Sequence, residues 1–266
     1  MEWPKSSTIQ NNVAFGYRLN EGQSNPMKIA AVCCTFLRPR RLGHLVRCFL
    51  EQDYPAEKRE LVILDDAGQH DNQRGEGWQL ISTAKRFPTL GQKRNAAAEM
   101  ISDDAEAIAV WDDDDLYLPW ALRASVAALQ VAPWSRPSLV LHPRNDGALQ
   151  QHKTGGLFHG GWAYRREAFG RVGGYPAIDN GEDQAFARRL QRAGVKSADP
   201  CRLGFPPFYI YPWDNGAGWH LSGLGKDGYA RLGVLRAKRA RLVIADPPGI
   251  DLHNPKILPG VHARVF

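Results

Sequence analysis

What most constrains this chain is a repeated unit: a short apolar run that ends in polar or acidic residues, followed by a helical pattern. KIAAVCCT (residues 28–35) is the first run. After FLRPRR, Leu42, Leu45, Val46, Phe49 and Leu50 recur at the spacing of one buried helix face, and Asp53, Tyr54 and Pro55 stop it. ELVILDD (60–66) is a second apolar strand, and after a Gly- and Gln-rich loop (67–77) GQKRNAAAEMIS opens a helix at about Gln92. AIAVWDDDD (107–115) is a third strand, Pro119 introduces another helix, and SLVLH (138–142) is a fourth strand. Strand, helix, strand at this spacing predicts βαβ units and a mostly parallel sheet flanked by helices. Polar residues gather at the C-terminal strand ends, where open α/β sheets bind ligands.

The 266 residues are 43% hydrophobic and 23% charged, which fits a packed globule and excludes a disordered chain. A net charge of +6 tolerates an anionic partner but is too mild to name one, and nucleic acid is not expected. No apolar run reaches the ~20 residues of a membrane span, and MEWPKSSTIQNN lacks the layout of a secretory signal. The four cysteines form no C-x-x-C pair. Adjacent Cys33 and Cys34 read as small apolar residues on opposite faces of a strand. A cytoplasmic protein is expected.

Three regions follow: a polar arm (1–27), the βαβ half (28–145) and a half rich in Gly, Trp, Tyr and Pro (146–266). The last two read as parts of one domain, the second a substrate-recognition region. One clear helix is predicted there, over 183–193, closed by Gly194.

Four consecutive aspartates, Asp112, Asp113, Asp114 and Asp115, repel one another unless a cation or solvent screens them. A solvated turn is the plain reading of such a run. Its place at the end of an apolar strand favours divalent metal instead, since hard cations take one or two carboxylates together with substrate phosphates. Asp65 and Asp66 end the second strand in the same way. Lys93 and Arg94 start a helix against its macrodipole: taken alone they read as solvated side chains, and alternatively they mark a site where an anion sits. Glu182 and Asp183 at another helix start are ordinary capping residues or, alternatively, a general base. His220 in GWHLSG reads as structural unless a site claims it. No G-x-S-x-G, Walker A or G-x-G-x-x-G pattern follows a strand.

CTFLRPRRLGHLVRCFLEQDYP, ELVILDDAG, GQKRNAA, WDDDDLYLP and GEDQAFARRL, in that order, resemble the family 2 glycosyltransferases of the GT-A fold, over roughly residues 28–194. The resemblance implies a transfer of sugar from a nucleotide-diphosphate sugar, a UDP-sugar favoured, to an acceptor hydroxyl, with Mn²⁺ or Mg²⁺ and inversion at the anomeric carbon. It assigns Thr35 and Asp66, with Asp65 second, to the base, and Arg94 to the nucleotide. Asp112-x-Asp114 matches the D-x-D motif, with Asp114 the direct metal ligand and Asp113 near the ribose or the metal's waters. Asp183 matches the catalytic base, with Glu182 and Trp162 on the acceptor side. His220 resembles a further metal ligand.

The acceptor is left open among glycan, lipid-linked and small-molecule hydroxyls. A nucleotidylyltransferase is disfavoured, because FLRPRR lacks the glycine-rich loop such enzymes carry after the first strand. A silent, ligand-binding adaptor is the rival from another class. The basic stretch 231–241 reads as a solvated helix face that could also bring the enzyme to a membrane-borne acceptor.

Overall fold

A computed structural model describes residues 26–143 and 149–212. The strands are β1 (Ile29–Thr35), β2 (Arg59–Asp65), β3 (Gln73–Gly75), β4 (Trp78–Ser82), β5 (Ala107–Val110), β6 (Leu116–Tyr117), β7 (Trp134–Ser135), β8 (Leu139–Pro143), β9 (Leu149–Lys153), β10 (Ala163–Arg165), β11 (Ser197–Ala198) and β12 (Tyr209–Ile210). The helices are α1 (Pro39–Leu50), α2 (Leu90–Glu99), α3 (Ala121–Val131), α4 (Arg166–Arg171) and α5 (Glu182–Arg192).

The main sheet runs β11-β7-β10-β5-β1-β2-β4-β3, and its centre, β5-β1-β2-β4, is parallel as the βαβ pattern predicts. Alternation along β1 splits the core. Ile29, Ala31 and Cys33 pack with α1 (Leu42, Leu45, Phe49) and α3. Ala30 and Val32, with Cys34 beside them, pack with Ala97 and Ala98 of α2 and with Phe186 and Leu190 of α5. The adjacent cysteines therefore face opposite layers, as expected.

Local chemistry sets the helix ends. Pro39 opens α1. The Thr89 hydroxyl accepts from Gln92 N at α2. Gly181, at φ 72°, turns the chain into α5 with Glu182 and Asp183 in its first turn. Gly194, at φ 70°, closes α5.

Several elements differ from the sequence reading. The loop over 67–77 contains β3, and β4 follows it unannounced, because a three-residue strand and a five-residue strand carry too little periodicity to stand out. Residues 138–142 do form a strand, but β8 belongs to a second sheet, β6-β12-β8-β9. The strand read over 107–115 stops at Val110, and its aspartates form a turn. Met27, assigned to the polar arm, is buried, and its carbonyl accepts from the Tyr54 hydroxyl.

The start of α2 is fastened to the segment that leads into α5. Gly91 N donates to Ile178 O, and Leu90 N to Asp179 Oδ1. The Asn95 amide both donates to Tyr175 O and accepts from Tyr175 N. A Cβ on Gly91 would lie 1.8 Å from Pro176 O, so only glycine admits this approach. Gly91→Ala is expected to destabilise the fold by about 1–3 kcal/mol, as overpacked sites do. Thermal or urea unfolding checks this, and an unchanged midpoint would mean that the segment at 176–179 yields freely.

Candidate active site

Strand register builds the site. Val32 is level with Val110 and Thr35 with Asp65, so three residues further along, Asp113 draws level with Thr35. The Thr35 hydroxyl donates to Asp113 Oδ2 at 2.6 Å. Trp111 stacks on Tyr117 at 4.1 Å and 1°, and the Tyr117 hydroxyl accepts from Asp112 N. These contacts fix the acidic turn between β5 and β6.

The turn is not a solvated one. Asp113, Asp114 and Asp115 are 5%, 7% and 2% exposed. Arg38 supplies the compensating charge: one guanidinium nitrogen lies 2.6 Å from both Asp113 Oδ1 and Asp114 Oδ2. Burial opposes the charge on Arg38, but the aspartates outweigh it and hold the group more firmly protonated than usual. The chain reaches Arg38 through Leu37, whose φ of 58° is a left-handed conformation that a side chain makes costly.

Asp115 has no cation facing it in the same way. Tyr209 donates to its Oδ2 at 2.7 Å, while Oδ1 is buried without a hydrogen-bond partner among the described residues. Burial, reinforced by Asp114 and Asp112, pushes its carboxyl well above the ordinary value. Gly160 packs close beside it, where a side chain would crowd the carboxylates. A Cβ there would lie 3.0 Å from both Asp112 Oδ2 and Asp115 Oδ2, and 2.9 Å from the Tyr209 hydroxyl.

Asp112 leads to the second half of the site. Arg94 reaches Asp112 Oδ1 at 3.3 Å and Glu182 Oε1 at 3.2 Å. Burial opposes its charge, and Asp112 and Glu182 more than restore it. Glu182 is itself buried, which raises its carboxyl, with Arg94 pulling the other way. Asp183, next in sequence, is half-buried. Its oxygens accept from Gln184 N at 2.7 Å and Gln184 Nε2 at 3.3 Å, and among the described residues no cation pairs with it.

The strand-end aspartates of β2 are internally engaged. Asp65 accepts from Ala67 N, Gln69 N and the Ser82 hydroxyl. Asp66 binds Lys93 and Arg86, each at 2.5 Å, and Phe87 N. Lys93 also donates to Thr35 O. The helix-start cations Lys93 and Arg94 thus meet anions, as their placement suggested, but the anions are the protein's own carboxylates.

Thr35, Arg94, Asp112, Asp113, Asp114, Glu182 and Asp183 are brought to one edge of the sheet. Trp162 is not at a surface. It is 1% exposed and packs edge-on against Trp134 and His159, so its expected place against an acceptor is corrected to one in the core. The physical reason is that its carbonyl accepts from Val110 N, which draws the chain entering β10 into the sheet. His220 and the basic stretch 231–241 lie outside the described residues. The sequence reading does not single out Arg38 or Tyr209. Only Arg38 left a signal, as a cation directly after a strand whose neighbour ends in four aspartates.

The donor set fits a hard divalent cation. It is all oxygen, and it includes a buried carboxylate oxygen that has no hydrogen-bond partner among the described residues, with Gly160 in place of a side chain beside it. Among the described residues no three of His, Cys, Asp and Glu are grouped so as to hold a metal ion by themselves.

No protein-family model matches the sequence, and no curated protein matches it. Solved structures do. A mannosyltransferase from Pyrobaculum calidifontis, PcManGT, in complex with GDP-Man and Mn²⁺, aligns with a TM-score of 0.54 at 18% identity, over 74% of this chain and 60% of that one. TarS 1–349 of S. aureus in complex with UDP-GlcNAc aligns at 0.53 and 15% identity, over 73% and 60%. Its complex with UDP aligns at 0.52 and 16%, over 71% and 61%. The chain thus has the mixed α/β, GT-A type fold of glycosyltransferases, and it spans about three fifths of the length of these structures. Among the described residues no helix is long and apolar enough to cross a membrane.

Asp115 gives a pH test. A carboxyl whose folded pKa is raised favours folding below its unfolded pKa, and that contribution is lost as pH rises through the folded value. Asp115→Asn is therefore expected to raise the melting temperature of chelated protein at neutral pH. The gain should shrink as pH falls towards the ordinary value of 3.8. A lower melting temperature at neutral pH, with the deficit shrinking as pH falls, would show that the ionised carboxylate stabilises the turn.

Proposed function

We propose that this protein is a metal-dependent glycosyltransferase, of the family 2 type, that moves a sugar from a nucleotide-diphosphate donor to an acceptor hydroxyl. The carrying observation is Arg94, which joins the acidic turn at Asp112 to Glu182. The donor-side carboxylate cluster is thereby tied to the start of α5, where the half-buried Asp183 is the next residue. The neighbours described above, with GDP-Man and Mn²⁺ or with UDP-GlcNAc, support the donor class, and a UDP-sugar is the favoured donor.

The nucleotide would lie across the ends of β1, β2 and β5, over Thr35, Asp65 and Asp66, with Arg94, Asp112 and Asp113 facing the ribose and diphosphate. Asp114, with His220 as a further ligand, would hold Mn²⁺ or Mg²⁺, which when bound supplies a Lewis acid for the leaving diphosphate. Asp183 takes the proton of the acceptor hydroxyl. The acceptor oxygen forms its bond to the anomeric carbon from the face opposite the phosphate oxygen. That carbon–oxygen bond breaks with its electron pair on the diphosphate, and configuration inverts. Glu182 is tied to Arg94 and buried, which leaves Asp183 as the base of the pair.

Calorimetry with UDP, GDP, CDP and TDP, with Mn²⁺ and after chelation, tests the donor class. One diphosphate should bind more tightly with metal, and no binding of any of them would favour the adaptor. Asp183→Asn should lower turnover by about 10²–10⁴-fold, the usual contribution of a general base, with donor affinity retained. An equal loss of donor affinity would assign Asp183 to binding instead.

A further inference from the structure

We propose that Arg38 acts as an internal counter-cation that holds the metal-binding carboxylates in the free enzyme and passes to the donor's diphosphate when the metal binds. This inference rests on the transferase reading of the same site. One nitrogen of Arg38 lies 2.6 Å from an oxygen of Asp113 and 2.6 Å from an oxygen of Asp114, so it sits between two carboxylates as a bound cation would. A divalent ion and this guanidinium cannot both neutralise that pair at full strength. Metal entry must loosen Arg38, and the released guanidinium then needs another anion.

The described surroundings limit where it can go. Lys93 and Arg86 hold Asp66, and Arg94 holds Asp112 and Glu182. Asp115, the one carboxylate of the turn without a cation among the described residues, follows Asp114, is buried and is bonded by Tyr209. A diphosphate arriving at the acidic turn is an anion that the guanidinium fork suits, and the fork can grip it in bidentate fashion. Arg38 itself is not fully enclosed, with 16% of its side chain exposed, and it follows Leu37, whose left-handed backbone bends the chain after β1. Metal and nucleotide binding are therefore coupled through this one side chain: metal alone must displace it at a cost, and the diphosphate offsets that cost by accepting it.

The test is a binding cycle on the full chain, with Mn²⁺ and UDP or GDP as probes, read by calorimetry and by the paramagnetic resonance of free Mn²⁺. Arg38→Gln is expected to bind Mn²⁺ alone about tenfold more tightly than the wild type, while the strengthening of Mn²⁺ binding by the nucleotide falls by a similar factor. Arg38→Lys, which keeps the charge but loses the fork, should lie between them, and it serves if the glutamine variant fails to fold without metal. Unchanged Mn²⁺ affinity in both variants, beside nucleotide-strengthened binding in the wild type, would overturn the role of Arg38 and leave the transferase reading standing. No Mn²⁺ binding to any of the three proteins, with or without nucleotide, would overturn both.

Discussion

Burying acid at a sheet edge is the constraint on which this structure turns. Asp65, Asp66, Asp113, Asp114, Asp115 and Glu182 are all among the buried residues. Unpaired charges in such a place would cost several kcal/mol each. The fold answers with cations drawn from distant parts of the chain: Arg38 after β1, Arg86 from the loop before α2, and Lys93 and Arg94 from α2 itself. Asp65 is satisfied instead by backbone amides and a serine. Asp115 is the member whose charge is least well met among the described residues, with one oxygen bonded by Tyr209 and the other without a partner.

Helix α2 carries much of this compensation in one short stretch. Gly91 touches the chain before α5, Lys93 reaches the ends of β1 and β2, Arg94 bridges the two acidic elements, and Asn95 grips Tyr175. Successive helix residues point in different directions, so four neighbours in sequence can serve four different partners. The Thr89 cap starts the helix where those directions fit. Tyr175 passes the order inward, since its hydroxyl bonds both Tyr164 and buried His159, the residue before Gly160.

The parts legible in the sequence were those with strong local patterns. Apolar runs fixed β1, β2 and β5, helical spacing fixed α1, and glycine bounded α5. The acidic turn and the Glu182–Asp183 pair could be found because unusual carboxylates stood at element ends. What could not be read depends on contacts between residues far apart in the chain. Nothing local to Arg38 says that it meets Asp113, 75 positions away. The resemblance puts Trp162 on the acceptor side, yet its neighbours are Trp134 and His159. The antiparallel β10, at three residues, is too short to declare its partners.

That short strand has a consequence for how the molecule is made. Ala163, Tyr164 and Arg165 pair with β5 on one side, and Ala163 and Tyr164 pair with β7 on the other. Both partners are synthesised earlier. Until these residues leave the ribosome, the edge of β5 has no neighbour on that side, and β7 has nothing to join it to the rest of the sheet. Translation therefore exposes an apolar strand edge for about fifty codons after β5 emerges, the kind of template that invites wrong pairing.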